Sequence, residues 1–349
     1  MFIFHQEYVH GGAMEVAEED LALVHALQIA PRLTWAQAGD VLGAHPTTLA
    51  ARWDRLRAAG AAWVTAYPVG LPEQMSLSFH DVECELDKRP AVVQDLCAIP
   101  EVISVEESAR NRDMMLTVIT PSLQELSRRV LPRVIGIDGL TKCQTSVATR
   151  LHSAGHAWRL NVLNRTQQAM LAQFAAVEPV EPGRLPESYW PIMQVLARDG
   201  RASVADIARQ TGVHPATARR QLNRILAGNT LSFRCEIAQS YSGLPVSCQW
   251  FARVPAGEHR KAAAALKSFR NLRLCVSTSG LTNFIFVLWL RSVADVLTAE
   301  QTISERVPGI ELVESAITLN HAKRVGWLLH PDGTATGDVV VPNVPTPLG

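Results

Sequence analysis

The segment "GAHPTTLAARWDRL" at residues 43–56 returns as "GVHPATARRQLNRI" at residues 212–225, 169 positions further along a chain of 349. At that offset Ala36 meets Ala205, Gly43 meets Gly212, His45 meets His214, Pro46 meets Pro215, Thr48 meets Thr217 and Arg55 meets Arg224. A shift of 170 then lays "IPEVISVEESARNRDMMLTVITPSLQEL" (99–126) over "FRNLRLCVSTSGLTNFIFVLWLRSVADV" (269–296), and Gly139-Leu140 over Gly309-Ile310. In both segments an apolar run precedes a polar loop, a second apolar run and an amphipathic stretch. A near-constant offset held so far along the chain is the mark of an internal repeat.

Each copy opens with helices. Leu21, Val24, Ala26 and Leu27 give residues 18–29 an apolar helical face. Thr34 is a good N-cap for a second helix over 34–42, and Gly43 suits the left-handed residue that ends it. Pro46 falls in the first turn of a third helix, where its missing N–H costs nothing. Ser203, Gly212 and Pro215 repeat this plan, which is that of a helix-turn-helix. Behind it the first copy reads strand 75–84, helix 89–98, strands 102–108 and 114–119, helix 122–134 and strand 140–149. The second copy reads 246–254, 258–268, 272–278, 283–291, 292–306 and 310–320 in the same β-α-β-β-α-β order, a ferredoxin-like plan. "VEPVEPGRLPES" (177–188) reads as a linker, and the Pro-, Gly- and Thr-rich tail from His330 as a loosely ordered end.

Bulk properties narrow the class. Apolar residues make up 47% of the chain and charged ones 19%, with zero net charge, so any affinity for nucleic acid must be local. No apolar run is long enough to span a membrane, and "MFIFHQEYVHGGAMEVAEED" lacks the form of a signal peptide. The six cysteines are scattered without a CxxC pair, which points to reduced, buried thiols in a cytoplasmic protein and to no metal site.

"AQAGDVLGAHPTTLAARWDRLRAAGAAW" resembles the DNA-binding domain of the Lrp/AsnC (feast/famine) transcription regulators, through Gly43, Arg52, Arg55, Leu56 and Gly60. The ferredoxin-like segment resembles that family's effector-binding and dimer-forming domain. The resemblance implies an α+β fold of two tandem units, each a winged or three-helix helix-turn-helix followed by a βαββαβ domain. The expected division is 18–66, 71–160, linker 161–187, 188–240, 244–330 and tail 331–349. It also implies double-stranded DNA as partner, a small effector (an amino acid or related carboxylate), homo-oligomers formed through the ferredoxin-like domains, no membrane and no cofactor. A usual member has one copy of each module, so fusion here frees the two halves to differ. Gln221 stands where the first copy has Arg52, and Asn229 where it has Gly60. The family's effector loop pairs a glycine with an acid three positions later. The first copy, Arg110-Asn111-Arg112-Asp113, keeps only the acid, and the second, Gly280-Leu281-Thr282-Asn283, keeps only the glycine.

These patterns define the expected sites. Residues 198–224 carry Arg198, Arg201, Arg209, Arg219, Arg220 and Arg224 against two aspartates, and residues 32–57 carry Arg32, Arg52, Arg55 and Arg57 against two. Guanidinium groups suit phosphates and guanine edges. The DNA-contacting set is therefore His45, Thr47, Thr48, Arg52 and Arg55 in the first copy, with His214, Thr217, Arg219, Arg220 and Arg224 leading in the second. Both histidines also read as helix-entry caps. An effector is expected between the ferredoxin-like modules, at Gly280, Leu281, Thr282 and Asn283, with Asp113 crossing from the other half and Arg110 and Arg112 favouring carboxylates. No catalytic motif is visible, and the chain reads as a non-enzyme. The alternative is a sirohaem-decarboxylase-like enzyme, with His152, His156 and His321 as its candidate residues, or a ligand-binding protein built on the same modules.

Overall fold

In a computed structural model the structure describes residues 15–68, 75–109, 111–175, 187–228 and 231–341. The first unit opens with α1 (Glu18–Ile29), α2 (Trp35–Leu42) and α3 (Pro46–Ala58). Thr34 caps α2 through its side chain, and Gly43 ends it at φ 67°, a left-handed turn with open space where a Cβ would sit. The second unit repeats this as α8 (Trp190–Arg198), α9 (Val204–Thr211) and α10 (Pro215–Ala227), with Ser203 as cap and Gly212 at φ 73°.

A strand follows each third helix, β1 (Ala62–Pro68) and β6 (Leu231–Ile237), and the two pair antiparallel from Ala62↔Ile237 to Pro68↔Leu231. The helical units are thus joined through a shared ribbon. Each strand also packs partly under the other unit: Ala66 of β1 lies in the apolar cluster of α8–α10, and Cys235 and Ile237 of β6 in that of α1–α3.

The α+β segments form one closed sheet. The first half supplies β2 (Ser76–Cys84), β3 (Val102–Ser108), β4 (Met114–Thr120) and β5 (Leu140–Ser153). The second supplies β7 (Val246–Arg253), β8 (Leu272–Thr278), β9 (Phe284–Leu290) and β10 (Glu311–Arg324). Their order, β10-β3-β4-β2-β5-β8-β9-β7, closes because β10 also pairs with β7. The seams between halves are β5–β8 and β10–β3, so the free edges of each half are satisfied within one chain. Outside the ring, α4 (Arg89–Ala98) covers the first half and α11 (His259–Leu266) with α12 (Asp295–Arg306) covers the second. Phe79, Met115, Phe251, Val276, Ile285 and Ala316 fill part of the interior.

Three expectations need correction. The helix expected at 122–134 is α5 (Leu123–Glu125), a π-turn over Leu126–Val130 and α6 (Leu131–Ile135). Pro132 lacks the N–H that a regular α-helix would use there, and the wider turn lies just before it. The expected linker 161–187 contains α7 (Arg165–Ala175), whose Leu171 is fully buried against the first helical unit, while residues 176–186 lie outside the described set. The tail expected to be loose supplies β12 (Ala335–Val339), which pairs antiparallel with β11 (Trp327–Leu329) just before it, where Trp327 meets Trp63 of β1 at 5.6 Å between rings. Residues 342–349 lie outside the described set.

Candidate functional site

The turn before each third helix is built alike. His45 Nδ1 accepts from the Thr47 backbone N–H at 3.4 Å, and His214 Nδ1 from that of Ala216 at 3.3 Å. Both histidines therefore cap helices. Thr47 and Thr48 are exposed and line a shallow depression with Ala51, Arg52 and Arg55, so the first copy's expected contact residues do come together.

The two copies differ in what surrounds their arginines. Arg55 holds the fully buried Asp20 through contacts of 2.6 and 2.7 Å, and Arg52 leans on Glu19 at 3.5 Å. The first copy's arginines are thus largely answered by its own α1. In the second copy Arg219, Arg220 and Arg224 are exposed, and no carboxylate among the described residues lies within ion-pair distance of them. The wider arginine sets shrink on inspection. Arg32 and Arg201 are spent on the joint between units, Arg57 pairs with Asp199 at 2.7 Å, and Arg209 with Asp206 at 2.6 Å. Gln221 is buried, at 8% exposure, so the groove-facing role suggested by its match to Arg52 does not hold.

The effector-type loops are committed to the fold. Arg110 lies outside the described residues. Arg112 is buried, with Nε 2.9 Å from Asp81 and Nη2 3.0 Å from Glu314, and its guanidinium lies 4.0 Å over the Phe251 ring. It is a tie within the barrel and no lure for a carboxylate. Asp113 accepts from the Cys84 N–H at 2.8 Å and from Arg89 at 3.2 Å, so it serves its own half and does not cross. Asn283 does the matching job 170 residues later, accepting from the Val254 N–H at 2.8 Å and donating to its carbonyl at 2.9 Å. Gly280 is at φ 118° and Leu281 is 86% exposed, while the Thr282 carbonyl accepts from the Thr278 hydroxyl.

The sequence reading missed a chamber inside the barrel. It has a volume of about 180 Å³ and is bounded by both halves, with Tyr67 of β1 and Arg234 of β6 at the ribbon end. Three guanidinium groups meet there around the buried Glu236: Arg234 contacts it directly, Arg273 lies at 3.2 Å and Arg324 at 3.7 Å. Arg273 lies 3.9 Å from the Trp289 ring and 4.7 Å from that of Trp158, which meets Trp289 edge-on. A second carboxylate, Glu106, lies 3.5 Å from His321 Nδ1 and accepts from the Gln249 amide. Burial and then Arg324 lower the pKa of His321, which favours its neutral form. Burial lowers those of Arg324 (to about 10), Arg234 (to about 9) and Arg273, and repulsion adds to it, from Arg273 for Arg234 and from Arg324 for Arg273. Guanidinium nevertheless stays charged at neutral pH. Both terminal nitrogens of Arg324 lack a hydrogen-bond partner, although the residue is only 5% exposed. Buried polar groups are normally satisfied, so this cation is poised for a ligand or water.

One sequence signal could have found it. In "NLRLCVST" (271–278) and "LSFRCEI" (231–237) a charge interrupts an otherwise apolar strand. The pairing of β8 with β9 shifts register between Leu272 and Leu274, so Arg273 is the extra residue of a bulge. Bulges re-aim a side chain, and here it enters the chamber.

The decarboxylase candidates separate in space. His321 faces the chamber, whereas His152 Nε2 shares the Ser277 hydroxyl with His259 Nδ1, at 2.8 and 2.7 Å. Both rings lie against Phe284, the setting of a packed polar pair. The side chain of His156 lies outside the described residues. Among the described residues no cluster of metal-ligating side chains is present, and no helix is long and apolar enough to cross a membrane.

Residues 78–156 match the model of the Lrp/AsnC ligand binding domain. An uncharacterized HTH-type transcriptional regulator of Pyrococcus horikoshii is 28% identical over 153 residues, covering 42% of this chain and 95% of the relative. Its counterpart in Pyrococcus abyssi is 27% identical over the same shares. Over the greater length, the siroheme decarboxylase NirDL, in co-complex with an iron-uroporphyrin III analogue, superposes with a TM-score of 0.56. That match covers 88% of this chain and 93% of the other at 11% identity, a likeness of fold alone.

Proposed function

We propose that the chain is a DNA-binding transcription regulator in which the second helix-turn-helix makes the dominant contact. The carrying observation is the exposed face of α10, where Arg219, Arg220 and Arg224 have no acidic partner among the described residues. An unpaired guanidinium row on the helix after a glycine turn is suited to phosphates and to the major groove. The first unit plays the lesser part, because Glu19 and Asp20 answer Arg52 and Arg55. Thr47, Thr48 and Thr217 are placed to reach phosphate through hydroxyl groups. The names of the two Pyrococcus relatives support this reading.

Selection of bound sequences from random duplex DNA, followed by footprinting, tests the regulator reading. The two halves of one chain's footprint should differ in sequence, and a footprint made of one perfect inverted repeat would count against unequal units.

A further inference from the structure

The chamber walls are not equivalent, although the two halves share one plan. Residues 170 apart line it in pairs: Leu77 and Ser247, Phe79 and Gln249, Ile103 and Arg273, Leu151 and His321, Ala154 and Arg324. In these five pairs the first half supplies hydrocarbon and the second a polar group, while Ser104 with Leu274 and Thr117 with Val287 reverse that order. Ile103, like Arg273, is the extra residue of a bulge, because β3 shifts register between Val102 and Ser104. One half has thus kept an apolar wall where the other has placed cations. Leu151 is 47% exposed, so the chamber opens to solvent beside it.

We propose that this chamber binds one small amphipathic carboxylate per chain, with its head at Arg324 and Arg273 and its hydrocarbon body on Leu77, Phe79, Ile103 and Leu151. The charge count supports an anion, since three guanidinium groups share the carboxylates Glu236 and Glu106. Both terminal nitrogens of the buried Arg324 lack a hydrogen-bond partner, which leaves a planar fork for a planar head group. The Gln249 carbonyl oxygen and the Ser247 hydroxyl are likewise unpartnered. The apolar wall and the volume set the body at one ring or a short branched chain.

Ligand binding here reaches the ribbon between the helical units. Glu236 and Arg234 belong to β6, whereas Arg273 and Arg324 belong to β8 and β10 of the barrel. A bound carboxylate competes with Glu236 for Arg273 and Arg324 and so alters how β6 is held. This effector role rests on the regulator reading above, but occupancy of the chamber does not.

The test uses the full chain, tryptophan fluorescence and calorimetry, with phenylacetate, 4-methylpentanoate and benzoate as probes. Trp289 and Trp158 lie against Arg273 and report the site. At least one probe should bind at one per chain, and acetate, inorganic phosphate and the neutral phenylacetamide should each bind at least tenfold more weakly than the best of them. Arg324→Met should weaken binding at least tenfold. If that variant does not fold, Ser247→Leu fills the polar wall with every arginine kept and should abolish binding. Failure of all three carboxylates, equal binding of phenylacetate and phenylacetamide, phosphate as the better ligand, or full affinity in the folded variants would overturn the proposal. DNA affinity, measured with and without the best probe, separates the two readings. Binding that leaves DNA affinity unchanged overturns the effector role, and absence of DNA binding overturns the regulator reading while the chamber result stands.

Discussion

Arg32 and Arg201 make the same reach in opposite directions. Arg201 donates to the carbonyls of Pro31 and Leu33 at 2.7 and 2.8 Å, and Arg32 donates to those of Gly200 and Ala202, the latter at 3.0 Å. Each arginine thus clasps the residues that flank the other. Arg201 also lies 4.1 Å over the Trp35 ring, and Arg32 5.7 Å over Phe233. The joint between the helical units is therefore built from a reciprocal pair of forks, each spanning two carbonyl groups.

Removing one fork should loosen that joint. Hydrogen bonds to charged donors contribute about 1.5–3 kcal/mol each, so Arg201→Ala, which removes two, should lower unfolding free energy by roughly 3–6 kcal/mol in urea titration. Arg201→Lys should restore less than half of the loss, because an ammonium lacks the planar fork. A lysine variant as stable as the parent would show that charge alone suffices.

Arg55 was expected at DNA, yet its first duty is structural. Asp20 is fully buried, and Arg55 is its main cationic partner. Arg55→Ala leaves that carboxylate poorly compensated and should cost about 3 kcal/mol of stability. The double change Asp20→Asn, Arg55→Ala should cost less than the single one. A larger loss in the double variant would argue against this role.

Stability should fall in mild acid. His25 accepts from the Leu163 N–H at 3.1 Å, and burial followed by Arg159 lowers its pKa to about 4. His80 lies between the Ser78 and Thr145 hydroxyls at 2.8 and 2.9 Å, and burial lowers it to about 4 as well. Both groups bind fewer protons folded than unfolded between pH 6.5 and 4. Their contribution is thus present above pH 6.5, shrinks as pH falls, and levels off below 4. Between pH 6.5 and 5 each should account for roughly 1.5 kcal/mol. Denaturant titrations at the two pH values check this, and His80→Gln should flatten the profile by about one histidine's share. An unchanged slope in that variant would remove His80 from the account.

Local chemistry was the legible part of this chain. Thr34, Gly43, Ser203, Gly212 and the prolines after each turn marked helix ends that the structure keeps, because caps and left-handed turns depend on neighbours in sequence. The strand order followed from the repeat. The barrel's closure and its chamber did not, since Arg234, Arg273 and Arg324 sit on three strands and meet only when the halves join. Ion pairing across elements was equally hidden: "DRL" at 54–56 gives no sign that Asp20 will claim Arg55. Nor did the residues before the tail disclose that Trp327 would seat against Trp63.

The asymmetry of the two helical units is the central claim, and the salt dependence of DNA binding measures it most directly. Log affinity falls against log salt with a slope of about −0.9 for each phosphate neutralised. Anisotropy titrations over 50–300 mM salt should give a shallower slope in Arg219→Ala, Arg220→Ala by about one to two, with affinity lost throughout. Arg52→Ala should leave the slope nearly as in the parent, because that guanidinium already leans on Glu19 and Asp20. Equal losses from the two variants would contradict the account, and so would a slope that neither variant changes.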